Sequence, residues 1–164
     1  MGHNISALIV QGEIQLQALK EWDLIIEKLP CNIKLAYIDH YYTACWQKLK
    51  KLENYLPIST QAPLLFPREI VLWEIAKELT GEEHPTFAII YTDYFGGMGT
   101  QFAQIFLGAK NPEPKITSIN QALRKFGVKA VNNQDEFDTI ELGNCRHNPE
   151  YLEKYVDLAD ELGV

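Results

Sequence analysis

Two tyrosine-x-aspartate runs, Tyr37-Ile38-Asp39 and Tyr91-Thr92-Asp93, place acids at matching positions in two β-prone stretches. Two carboxylates held close together can divide acid and base roles or share a metal ion, because like charges at short range push their proton affinities apart. His40 directly follows Asp39 and is the general-base candidate of that neighbourhood, since imidazole titrates near neutral pH. The chemistry requires the two strands to be neighbours. Otherwise Asp39 caps a helix that begins at His40, and Asp93 faces solvent. Cys45 lies five residues beyond His40, off its i,i+4 helical face, and reads as a small core hydrophobe.

Gly96, Gly97 and Gly99 follow the second of these runs in "YTDYFGGMGTQ". A dinucleotide fingerprint, G-x-G-x-x-G, begun at Gly97 fails at Phe102. A P-loop fails because no lysine follows the glycines until Lys110. A hairpin turn at Gly96-Gly97 accounts for the glycines with less machinery. A backbone-amide anion site stays open only if residues 100–107 are helical.

Cys145-x-His147, with Arg146 between, supplies two of the four ligands a zinc site needs. The others would have to come from His3, His40, His84 or distant acids. No second close Cys/His pair and no HExxH motif occurs, so no metal is expected. The alternative is a polar loop in which Arg146 and His147 answer Asp135, Glu136 and Asp138. Asp39, His40, Asp93 and His147 are thus the catalytic candidates. For partner binding the candidates are Tyr42, Trp46, Tyr94 and Phe95, because aromatics anchor interfaces. Gly96 and Gly97 at the turn, and Asp135, Glu136 and Arg146 in the acidic end, complete that set.

The elements that must position these groups are readable from pattern. Residues 4–11, 32–39 and 86–95 read as strands, with 99–110 the antiparallel partner of the last. Residues 16–22 and 40–55 read as helices. Residues 68–81 read as a third helix, with Pro67 in its first turn and Gly81 ending it. Between them, 56–67 is a proline-punctuated loop whose apolar residues pack on the body. Ser118 and Gln121 form a capping box, with Gly127 as the stop. Residues 135–142 suit a short helix or a strand, and Asn148 and Pro149 suit the start of a last helix. These elements predict an α+β fold, a single domain over residues 1–164. Its sheet is mainly antiparallel with helices packed on it, and its C-terminal third is helical.

The chain has 164 residues, 46% of them hydrophobic, enough for one buried core. Its net charge of −7 is unevenly placed. Residues 130–164 hold nine acids against Arg146 and Lys154, while the rest balances at 13 of each sign. Nucleic-acid binding is disfavoured without a basic face; a basic protein partner fits, as does a plain solvated acidic helix. The three cysteines are widely spaced and read as reduced thiols. No apolar run is long enough to span a membrane, and the first fifteen residues lack a basic stretch and a cleavage site, so a cytoplasmic protein is expected.

The order "DYFGGMGTQFA", "INQALRKFGV", "DEFDTIELGNCRH" over residues 90–147 resembles a family of small bacterial proteins of uncharacterised activity. That family carries a Tyr-Phe-Gly-Gly segment, an ALR-LGV helix and an Asp-Glu-Phe segment ending in Arg-His. In the family Arg-His stands close to a Gly, whereas here Asn144 and Cys145 intervene, and no role transfers to His147. The resemblance implies an immunity-type partner of a bacterial toxin. The leading expectation is a non-enzymatic binding protein that needs no cofactor and meets a basic partner. The alternatives are a small hydrolase or metal-dependent enzyme near the glycine turn, and a structural or oligomerising domain. The oligomeric state is left open.

Overall fold

The computed structural model describes residues 2–164. The elements run β1 (His3–Gln11), α1 (Leu16–Glu21), β2 (Ile26–Leu29), β3 (Ile33–Tyr37), α2 (His40–Leu49) and α3 (Val71–Thr80). They continue with β4 (Thr86–Phe95), β5 (Met98–Leu107), α4 (Ile119–Lys125), α5 (Glu136–Thr139) and α6 (Lys154–Leu162). The strands form one antiparallel sheet in the order β2-β3-β1-β4-β5. The α+β class, the antiparallel sheet and the helical last third are as the pattern predicts.

β1 is the central strand, and Ile5 to Val10 are all buried. Side chains alternate between the faces of a strand, so six buried residues in succession mean that both faces are covered. Register assigns the layers. Phe87 of β4 stacks on Phe106 of β5 and meets Trp73 of α3 edge-on, so α3 covers the face that Phe87, Ile89 and Tyr91 share. α2 packs on α3, and α6 packs on α2. The opposite face carries His3, Ile5, Thr92, Tyr94 and Gln101, and α4 lies over it.

Local chemistry sets most boundaries where the pattern puts them. Ser118 and Gln121 form a complete reciprocal capping box, and Gly81 caps α3. The 56–67 loop packs as expected. Phe66 is buried edge-on against Phe102, and the Ser59 N–H donates to Gln104 Oε1 at 3.0 Å.

Three expectations need correction. α2 stops at Leu49 rather than running to 55, and positive φ at Lys51 and Asn54 turns the chain away. Pro67 lies outside α3, whose first residue is Val71. Asn148 does not cap the last helix. Its side chain accepts from the Ser6 N–H at 3.2 Å and donates to the Ile38 carbonyl at 3.0 Å, joining β1 to the end of β3 where the two strands part. A 3-10 turn at Glu150–Glu153 leads into α6 instead. β2 escapes the pattern because "IEKL" has no apolar alternation; only its pairing with β3 makes it a strand.

Candidate functional site

β4 and β5 pair up to Phe95 and Met98, leaving Gly96-Gly97 as a two-residue turn. Their φ values of 61° and 78° are those of a type I′ turn, whose twist matches the strands it joins. Residues 100–107 belong to β5, so the helical condition for an anion site at the glycines is not met. The turn presents Phe95 and Met98, each 80% exposed, at the tip of the hairpin.

The four catalytic candidates do not converge. β1 lies between β3 and β4, so Asp39 and Asp93 stand on opposite sides of it. Two inter-strand spacings are about 10 Å, beyond the reach of a shared proton. Asp39 caps α2, accepting from the Tyr42 N–H at 2.8 Å. Burial pushes its carboxyl up, and that N–H opposes the shift. Asp93 is exposed, paired across the ladder with Asn4 and Thr100. The His40 ring lies 4.0 Å from the Tyr41 ring. His147 is exposed beside Asn4. Among the described residues no group of three or more His, Cys, Asp or Glu is placed to hold a metal ion. Cys145 is buried, and desolvation pushes its thiol up.

The proposed binding residues divide. Tyr42 is fully buried, and its hydroxyl donates to the Trp22 carbonyl at 2.6 Å, so it serves the core and not a surface. Trp46 is half-buried, edge-on to Trp22 at 5.1 Å. Asp135 caps α5, accepting from the Asp138 N–H at 2.8 Å. Glu136 turns inward and accepts from Arg124 Nε at 2.6 Å, not from Arg146 or His147.

The Arg124 hydrogen bond holds the Glu136 carboxyl below its ordinary value of 4.5. Its stabilisation is therefore present above pH 4.5 and is lost as pH falls through the lowered, folded value. Urea titrations of wild type and Arg124→Gln are expected to differ most well above pH 4.5, at about pH 7, and to draw together as the pH falls below 4.5 through the lowered value. A gap that does not shrink with acidification would assign the loss to packing instead.

Tyr94 and Arg146 line a cavity of about 410 Å³, with His3, Gln101, Ile119, Asn120, Phe137 and Gly143. Its floor is the sheet face of β1, β4 and β5, where His3 pairs with Tyr94, and Thr92 with Gln101. Each wall is tied by a specific bond. Gln101 Oε1 accepts from the Ile119 N–H at 2.8 Å, fastening the start of α4 to β5. Asn120 Oδ1 accepts from the Phe137 N–H at 2.9 Å, fastening α5 to α4. His3 Nε2–H donates to the Leu142 carbonyl at 3.0 Å, which leaves Nδ1 to accept from the Thr92 hydroxyl at 2.8 Å. The Thr92 hydroxyl in turn accepts from the Ile5 N–H at 3.0 Å. This tautomer follows from the bonding pattern. Both ring nitrogens are engaged, so His3 is a strut of the wall and not a free base.

His3, Gln101, Asn120 and Phe137 carry no sequence signal for this role. They come from four elements, and no spacing links them.

α6 presents the other candidate surface. Tyr155 and Ala159 face inward, while Glu153 at its N-cap and Asp157, Asp160 and Glu161 are exposed. Among the described residues there are three ion pairs, and none involves these four acids. Lys154, the base within α6, is held by Asp23 at 2.6 Å.

Comparisons of the chain with protein-family models, curated proteins and solved structures found no match.

Proposed function

We propose that the chain is a non-enzymatic binding protein of the bacterial cytoplasm, of the toxin-immunity type, which holds a basic protein partner against its acidic C-terminal end. The observation that carries this reading is the outer face of α6, where four exposed acids lack any ion-pair partner among the described residues. Unpaired surface carboxylates repel one another, and a cationic partner relieves that repulsion while speeding encounter. The separation of Asp39 from Asp93 across β1 removes the main support for the hydrolase alternative. Among the described residues no helix is long and apolar enough to cross a membrane.

The test pairs immobilised wild-type protein with an Asp157→Lys, Asp160→Lys, Glu161→Lys variant in bacterial extract, followed by association kinetics of what is retained. The expected partner is basic and is lost from the variant. Its on-rate falls about tenfold or more between low and high salt. A partner that binds both proteins alike, with an on-rate indifferent to salt, would remove this reading.

A further inference from the structure

The cavity over the sheet face of β1, β4 and β5 is independent of α6, which packs on α2 over the other face. We propose that it binds a small planar molecule carrying one anionic group, a carboxylate or a phosphate, with the anion at Arg146 and the ring against Phe137 and Tyr94.

Size and lining both point this way. A volume of about 410 Å³ is in the range of small-molecule sites, and such sites combine apolar walls with a few polar groups. Phe137, Ile119 and Tyr94 supply the apolar walls.

The polar groups are sorted by charge and by direction of hydrogen bonding. Arg146 lines the cavity and no carboxylate does, although the chain as a whole is at −7. Three acceptors on the wall each already take a hydrogen bond. Gln101 Oε1 takes the Ile119 N–H, Asn120 Oδ1 takes the Phe137 N–H, and His3 Nδ1 takes the Thr92 hydroxyl. Donors remain. The Arg146 guanidinium makes one hydrogen bond among the described residues, to the Gly2 carbonyl at 3.4 Å, and no ion pair. Gln101 Nε2 and the Tyr94 hydroxyl make no hydrogen bond within the described residues. A cavity with a guanidinium, an amide N–H2 and a hydroxyl donor to spare and no carboxylate favours a ligand rich in acceptors, and a guanidinium suits the paired oxygens of a carboxylate or phosphate.

Gly143 provides a plug. Its backbone is outside the left-handed region, and a Cβ there would meet only the Phe137 ring edge at 4.0 Å. A larger side chain at 143 can therefore occupy the cavity without removing any group from the wall.

The experiment titrates isotope-labelled full chain with indole-3-carboxylate, phenyl phosphate and uncharged indole-3-carboxamide, followed by amide NMR shifts. At least one anionic probe should give saturable shifts centred on the Gln101 and Asn120 side-chain amides and on Gly143 and Arg146. The tighter of the two probes identifies the preferred anion. Arg146→Gln should weaken the anionic probe about tenfold or more and leave the carboxamide unchanged. Gly143→Leu should abolish binding of all three while the rest of the spectrum stays folded. If Gly143→Leu misfolds, Arg146→Gln, at an exposed position, decides alone. The proposal is overturned if neither anion saturates, if the shifts map to another surface, or if Arg146→Gln weakens charged and uncharged probes alike. Neither outcome bears on the acidic face of α6.

Discussion

Gly99→Ala is expected to cost the protein about 3 kcal/mol and to unseat the end of the β4–β5 hairpin. Gly99 stands opposite Tyr94 in the ladder. A Cβ at that position would lie 1.9 Å from the Asp93 carbonyl oxygen and 2.7 Å from the Tyr94 Cα. Both are backbone atoms of the paired strand, so no rotamer change relieves the clash, and the strands must separate. Tyr94 lines the cavity and Phe95 forms the exposed tip, so the loss should reach both surfaces.

Gly96→Ala is the informative contrast. Its φ of 61° disfavours a side chain, but nothing lies within 4 Å of the added Cβ. A cost of about 1 kcal/mol is expected there, from backbone strain alone. Urea denaturation of the two variants separates the effects. Equal losses would show that conformation, and not the close approach of β4, governs Gly99.

Phe87→Ala is expected to be the most damaging single truncation, at about 4 kcal/mol. The ring is completely buried. It stacks on Phe106 with centroids 4.7 Å apart and meets Trp73 edge-on at 5.9 Å. It therefore joins β4, β5 and α3 in one contact, and its removal opens a cavity among rigid rings that cannot collapse to fill it. Against a total stability of about 5–15 kcal/mol for a domain, that loss is a large fraction. Phe87→Leu, which keeps most of the volume, should cost about 1.5 kcal/mol. Thermal unfolding of the pair gives the comparison. A small loss for Phe87→Ala would mean that α3 is held to the sheet mainly elsewhere. Phe87 lies near the Thr86 end of β4 and the cavity near its Tyr94 end, so probe binding should survive in whatever fraction remains folded.

The parts of this fold legible in the chain are those whose causes are local. Two glycines between two alternating β-prone runs specify a tight hairpin, because the turn needs positive φ at both positions. Ser118 and Gln121 satisfy each other's neighbouring N–H groups three residues apart, so the start of α4 is written in four letters. Asp39 before His40 capped a helix for the same reason. The cause and its effect lie within one turn of chain, and no other part of the molecule need be known.

Tertiary structure decided what those elements bring together. Tyr37-Ile38-Asp39 and Tyr91-Thr92-Asp93 look equivalent as text, yet β1 enters between their strands and separates the acids. Asn148 has the look of a cap, but its amide is taken by Ser6 and Ile38, more than a hundred residues away. His3 is joined to Leu142 across 139 residues, and the cavity is walled by residues from five elements and the loop between α5 and α6. Strand order and cavity shape depend on which apolar faces meet across long loops, and many distant pairings satisfy the same local pattern. The chain alone determined the glycine turn, the capped starts of α2 and α4, the glycine end of α3 and where the charge lies. Only the packed sheet determined that Arg146, Gln101 and Tyr94 share one cavity while the four catalytic candidates do not.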